Sequence, residues 1–371
     1  MALRIPAVSV PDPRTLVGAV RREARRNALR ARNGIRLASG IGRPKVGLTP
    51  HDVVWRRGRA RLLRYRSDSI RWRPPLMFVY SLAGRAYILD LTPGNSMVER
   101  LRDEGFDVYL LDFGVPDERD AGNTLETYAV EYLGDALTAA TRESRGQEIN
   151  LVGYCLGGIL ALLGLAANPG WPVRTLTTIA APADSRELGA LASVARESNI
   201  DVDDVLDETG NVPGNIMEFG FRAVRPTGQI TEYADLLENM WSDQYVAAYQ
   251  LMTGWAHDQV PMAGATARDL VDDLIRSDSL PTRGTCRLGG REVDLKNITV
   301  PFRSIVAEQD DISPPAASAA LPGLVGSADS KELRLPGGHI GLMVGRTAHK
   351  RSLPMMIEFF KSHSEPLDSP S

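Results

Sequence analysis

The stretch Asn150-Leu-Val-Gly-Tyr-Cys155-Leu-Gly-Gly-Ile159 constrains this chain more than any other. An apolar run ends at a glycine, a cysteine stands two residues on, and two glycines open a second apolar run. Small residues at 153 and 157 suit a sharp strand-to-helix turn, where the two backbones approach too closely for side chains. A thiol at the tip of that turn lies at a helix start, which favours thiolate over thiol. The backbone N–H of Leu156 then points to where a tetrahedral oxyanion would form. The pattern has the form of a nucleophile elbow, G-x-C-x-G-G where hydrolases usually carry G-x-S-x-G. A structural cysteine at a helix start would satisfy the same local pattern, so the decision rests on the remaining chain.

From residue 74 onward, short apolar runs alternate with amphipathic stretches. The pattern predicts strands over 75–80, 107–112, 149–154, 175–180, 300–307 and 332–335. Helices are predicted over 96–104, 124–144, 158–167 and near 353–362. Such βαβ units imply an α/β class with a mostly parallel central sheet covered on both faces, here the α/β-hydrolase arrangement. The alternation breaks over 185–295, a region of polar helical sequence with Phe219, Tyr233, Trp241, Tyr245, Tyr249 and Trp255, read as an inserted cap. The expected organisation is a basic arm and lead-in (1–67), a first core part (68–184), the cap (185–295) and a second core part with a polar, frayed tail (296–371).

Two further segments follow predicted strands. Val300 to Pro315 runs from a strand into Asp310-Asp311-Ile-Ser-Pro, and either aspartate fits a carboxylate that orients a histidine. Leu335-Pro-Gly-Gly-His339-Ile-Gly places a histidine in a glycine-rich loop after the last strand. Nucleophile, acid and histidine thus occur in the order that the α/β-hydrolase arrangement requires. Of the five histidines, His51 precedes the core, His257 lies in the cap, and His349 and His363 belong to the last helical region. Only His339 fits a general base.

The formal charge of −3 conceals an asymmetry: residues 1–73 hold 19 Lys and Arg against 4 acids, and the remainder 24 against 42. Residues 14–36 read as an arginine-rich amphipathic helix, suited either to an anionic apolar surface or to the acidic body of the same chain. Nucleic acid is not the expected partner. Two cysteines exclude a disulfide scaffold, and Cys286 is expected to be inert. The histidines are too scattered for a metal site, and no P-loop or dinucleotide fingerprint follows a predicted strand. No apolar run is long enough to span a bilayer, and no signal-peptide pattern opens the chain, which predicts a cytoplasmic protein.

Over about residues 49–360 the sequence resembles the catalytic subunit of the polyhydroxyalkanoate synthases. The resemblance is carried by Ala86-Tyr-Ile-Leu-Asp-Leu91, Asn95-Ser96, Gly153-Tyr-Cys-Leu-Gly-Gly158, Gly289-Gly-Arg-Glu-Val-Asp-Leu295, Asp310-Asp-Ile-Ser-Pro314 and Gly338-His-Ile-Gly341. It implies Cys155 as acyl-accepting nucleophile, His339 as base and Asp310 as acid, Asp310 standing two residues before Ile312 and four before Pro314. It also implies a 3-hydroxyacyl-CoA substrate, coenzyme A entering as a thioester and not as a resident cofactor. The short N-terminal region is similar to synthases that work with a second, non-catalytic subunit. A homodimer is a further expected partner, and the basic helix 14–36 adds contact with a polymer-granule or membrane surface.

Two positions depart from the family pattern. The loop that usually reads Pro-Pro-Trp is here Val79-Tyr-Ser-Leu-Ala83, and Asp311 stands where a histidine is usual. That loop should supply the second oxyanion N–H, assigned to Ser81. Arg71, Arg73 and Arg85 are candidate phosphate contacts for coenzyme A. A Cys-His-Asp thioesterase or esterase would use the same three residues and is the alternative reading.

Overall fold

A computed structural model describes residues 13–40, 42–67, 69–197, 201–224 and 228–367. The proline-punctuated residues 1–13 are expected to be loose; residues 1–12 lie outside the described residues, and Pro13 opens the first helix. The described chain divides into two compact units, with boundaries at Pro44, Thr227 and Gly254.

The smaller unit is helical. Helix α1 (Pro13–Ser39) covers the expected 14–36. Its C-terminal half is held by Asn33, fully buried, whose Nδ2 donates to the Met240 carbonyl at 2.8 Å, and by an Arg32–Asp243 ion pair. Arg26 lies over the Trp241 ring at 4.6 Å. Residues 19–28 are otherwise exposed, including Val20, Arg21, Arg22 and Arg25.

The larger unit is built on eight strands: β1 (His51–Arg57), β2 (Ala60–Tyr65), β3 (Leu76–Val79), β4 (Val108–Asp112), β5 (Ile149–Tyr154), β6 (Val173–Ile179), β7 (Phe302–Ala307) and β8 (Ser330–Leu335). Their order across the sheet is β1-β2-β4-β3-β5-β6-β7-β8. From β4 to β8 every pairing is parallel. β1 and β2 add an antiparallel edge, β2 pairing with β4. The six strands expected from the apolar runs all form, each within two residues of its expected limits.

β1 and β2 lie in the segment read as arm and lead-in, where the sequence reading had not singled out strands. Their arginines explain why. Arg61 pairs with Asp112 at 2.9 Å, Arg64 with Asp107 at 3.0 Å and Arg57 with Asp135 at 2.9 Å. Part of the basic N-terminal charge is therefore neutralised on core acids, and the charged edge is also poor at recruiting a further strand.

Three helices belong to the first half of this core. α2 (Met97–Asp103) is capped by Ser96, whose Oγ accepts the Glu99 N–H at 3.0 Å. The expected 124–144 helix forms as a π-helical turn, Thr127–Tyr132, running into α3 (Leu133–Glu143). α4 (Leu156–Ala167) is buried from Gly157 to Ala166, so its apolar residues face protein on all sides. Each fully buried leucine there contributes roughly 1.5–3 kcal/mol.

The Ala86–Leu91 motif has a structural role. Buried Asp90 accepts from the Thr49 N–H (2.9 Å), the Thr49 hydroxyl (2.6 Å) and the Ser96 hydroxyl (2.7 Å), tying three segments together. Glycines 289 and 290 form the turn of a hairpin, Thr285–Leu288 with Arg291–Asp294. The tail departs from expectation: Glu365–Pro366 pairs with Trp72–Arg73, and the Leu367 N–H donates to the Arg71 carbonyl at 2.7 Å, so residues 365–367 are hydrogen-bonded and not frayed. Residues 368–371 lie outside the described residues.

Candidate active site

Cys155 follows the last residue of β5 and precedes the first of α4, with φ 52° and ψ −125°. A non-glycine residue in that region is strained, and here the neighbours hold it: its N–H donates to Ile179 O at 2.8 Å, and its carbonyl accepts the Gly158 N–H at 2.9 Å. The glycines are sterically required. A Cβ on Gly157 would lie 2.3 Å from Val79 O, and one on Gly153 2.4 Å from the Gly158 Cα. The start of α4 is thus pressed against the end of β3, which carries the loop with Ser81.

Asp310 lies three residues past β7 and His339 four residues past β8, both at the carboxyl ends of parallel strands, where α/β sheets gather their sites. The two loops are tied together by Gln309 N–H to Gly337 O at 2.9 Å and Glu308 N–H to Leu335 O at 2.8 Å. His339 Nδ1 lies 2.7 Å from Asp310 Oδ2, and both residues are buried. Asp310 Oδ1 accepts the N–H groups of Ile312 (2.9 Å) and Ser313 (2.8 Å), which explains the spacing of the acidic motif. Asp311 is exposed and is not the carboxylate that meets the histidine.

The electrostatics join the third member. Burial alone would push the His339 imidazole down; Cys155 and the Asp310 carboxylate, through charge and hydrogen bonding, override it and raise the group to about 10. Cys155 is partly exposed while His339 and Asp310 are shielded, leaving the thiol as the accessible member. Cys286 is buried, and burial with the nearby Asp273 and Asp269 pushes its thiol up to about 12, so it remains protonated.

The structure thus brings together Cys155, Asp310, His339, the start of α4 at Leu156 and the Ser81 loop. Ser81 itself is buried, and its Oγ accepts the Ala83 N–H at 3.1 Å, holding a turn directly after β3. The candidate coenzyme A arginines separate: Arg71 and Arg73 precede β3, at the opposite end of that strand, and only Arg85 lies on the loop beyond it. Arg71 Nη2 donates to the Asp103 carbonyl at 2.8 Å. Among the described residues no group of three or more His, Cys, Asp or Glu side chains is arranged to hold a metal.

Sequence reasoning missed the aromatic residues around the elbow. The rings of Tyr80 and Tyr154 stack at 5.7 Å and 18°, and the Tyr154 ring lies 5.1 Å from that of His339. Both tyrosines sit inside segments already singled out, at the end of β3 and immediately before Cys155. A tyrosine in a strand reads as ordinary strand composition.

Comparison with known proteins agrees with this architecture. Residues 74–345 match the model of a family described as alpha/beta hydrolase fold. The chain is 36% identical over 318 residues to the poly(3-hydroxyalkanoate) polymerase subunit PhaC of Allochromatium vinosum, covering 83% of this chain and 87% of that protein. It is 34% identical to the subunit of the same name from Haloferax mediterranei (88% and 67% covered) and 32% identical to that of Thiocystis violacea (86% and 90%). Among solved structures, a thermophilic esterase from Thermogutta terrifontis has a similar fold, with a TM-score of 0.50 at 16% identity over 85% of this chain and 99% of that one.

Proposed function

The chain belongs to the family of poly(3-hydroxyalkanoate) polymerase PhaC subunits, acyltransferase-type enzymes, and from that premise we propose how its own residues carry out the polymerisation. Cys155 attacks the carbonyl of a 3-hydroxyacyl-CoA thioester. The oxyanion is met by the N–H groups of Leu156 and Ser81. As the new C–S bond completes, the bond to coenzyme A breaks, and His339 returns a proton to the departing thiolate. One thioester replaces another, so the acyl group remains activated. In the second half, His339 takes the proton of an incoming hydroxyl as its oxygen attacks the Cys155 thioester; an ester forms and the Cys155 sulfur leaves. Asp310 orients the imidazole throughout.

The observation that carries this reading is the buried His339–Asp310 pair at 2.7 Å beside a cysteine at positive φ. Polymerisation further requires that water be kept from the acyl-enzyme. The shielding of His339 and Asp310 is in keeping with that requirement. We assign the protein to the cytoplasm at a polymer-granule surface, where the exposed arginines of α1 meet an anionic boundary. The relatives' designation as subunits supports a second polypeptide, and a homodimer is the expected assembly of this chain.

The test is incubation with 3-hydroxybutyryl-CoA and longer homologues, following coenzyme A release and acyl fate together. Release should yield polymer or oligomer and disappear in Cys155→Ala. Cys155-dependent release that yields only free hydroxy acid would replace the synthase with a thioesterase.

A further inference from the structure

The loop that carries Ser81 is held from two sides. Its start is pressed on α4, where a Cβ on Gly157 would lie 2.3 Å from Val79 O and 2.5 Å from Tyr80 O. β3 ends at Val79, so residues 81–85 run on beyond the sheet. Their far end meets Trp255, in the last turn of the helix Asp243–His257, which with this loop belongs to the larger unit. The Trp255 indole N–H donates to the Arg85 carbonyl at 2.9 Å. Its ring lies against Gly84, where a Cβ would come within 3.1 Å of it and φ is +77°. Asp258 holds the residues that follow: Oδ2 accepts the Tyr87 hydroxyl at 3.2 Å and lies 3.6 Å from Arg85 Nε. The Asp258 N–H donates to Trp255 O at 3.1 Å, so indole and carboxylate address the loop from one closed turn.

The Arg85–Asp258 pair is exposed, and an ion pair of that kind adds little to folding. What these contacts do is restrict a loop. Burial and Asp258 push the Tyr87 phenol up to about 12, so it remains a donor to the carboxylate. Ser81 stands four residues before Arg85, and its Oγ accepts the Ala83 N–H at 3.1 Å, closing the turn between them. Displacement at Arg85 is therefore passed back to the Ser81 N–H. An oxyanion donor acts only where it is already aimed at the developing charge, and a misplacement of about 1 Å can cost about 10²-fold in rate.

We propose that Trp255 and Asp258 are positioning residues for acyl transfer, holding the Ser81–Arg85 loop so that the Ser81 N–H meets the thioester oxyanion. The inference rests on the synthase reading, and its test separates the two. Single-turnover coenzyme A release from 3-hydroxybutyryl-CoA and its eight-carbon homologue is measured beside the rate of Cys155 alkylation by iodoacetamide. Alkylation displaces iodide without building an oxyanion, so it reports the thiol and imidazole alone. Trp255→Phe keeps a ring and loses the N–H, and Asp258→Ala, at an exposed position, loses both loop contacts. Each should lower the acylation rate at saturating substrate by roughly 10- to 100-fold. Half-saturation and the alkylation rate should stay within about threefold of wild type, because the lost interaction belongs to the transition state. Asp258→Asn still accepts from Tyr87 and should keep its acylation rate within about threefold of wild type. Parallel losses in acylation and alkylation would mean that the triad itself has moved. Unchanged acylation in both Trp255→Phe and Asp258→Ala would mean that the loop stands without them. Either result overturns the positioning role and leaves the synthase reading intact. Wild-type protein that is alkylated at Cys155 but releases no coenzyme A from either ester would overturn the synthase reading and this inference with it.

Discussion

Asp310 divides its carboxylate between two tasks: Oδ2 meets His339 Nδ1 at 2.7 Å, and Oδ1 accepts the backbone N–H groups of Ile312 and Ser313. One oxygen fixes the loop and the other fixes the imidazole. Asp310→Asn should therefore retain the loop while presenting the wrong partner to the imidazole. Acyl transfer should fall by about 10²- to 10⁴-fold. Asp311→Asn, at the exposed neighbour, should stay within about threefold of wild type. Steady-state coenzyme A release from both variants checks this, and equal losses would reverse the assignment.

The raised His339 group provides a titration test. Its ordinary value is 6.5 and its folded value about 10, so the stability it contributes is fully present below pH 6.5 and lost as pH rises through about 10. Cys155 is a named cause of the rise. Cys155→Ala should lower the His339 value and bring that loss of stability to lower pH. An NMR titration of the imidazole measures it directly; an unmoved value in Cys155→Ala would mean that the thiol and imidazole do not communicate.

The turn at the elbow leaves no room for a methyl group. At Gly157 the added carbon would lie 2.3 Å from Val79 O and 2.5 Å from Tyr80 O, both backbone atoms that cannot swing away. Gly157→Ala should cost about 2–4 kcal/mol in urea unfolding. Gly170→Ala, where nothing lies within 4 Å, is the matched control. Equal midpoints for the two variants would contradict the close approach.

The two thiols should react differently. Cys286 is buried and held protonated, whereas Cys155 is partly exposed beside an imidazolium. Native protein at pH 8 should take up one iodoacetamide, at Cys155. In urea it should take up two, and native Cys155→Ala none, all by intact mass. Labelling of Cys286 in the native state would show that its surroundings open.

The central strands and the order of the three reactive residues were legible because both are written into local sequence. β5 is buried at every residue and reads as an apolar run interrupted by Asn150, and the glycines around Cys155 announce the turn. β1 and β2 were not legible. Their arginines mimic a solvated arm until Asp107, Asp112 and Asp135 are brought beside them from distant parts of the chain. The tyrosine pair was hidden for another reason: its stacking beside His339 joins residues from three separate parts of the chain, and no local spacing encodes it.

The pairing of Trp72–Arg73 with Glu365–Pro366 gives the core a timetable. A nascent chain leaving the ribosome exposes Cys155 well before His339, and closes this last pairing later still. Before residue 339 is made, the elbow lacks both His339 and the last strand of the eight-stranded sheet, Ser330–Leu335, to which the His339 loop is joined. The sulfur of Cys155 and the buried pair it stands beside therefore come from stretches of chain more than 150 residues apart, and no fragment ending before residue 339 can hold them together.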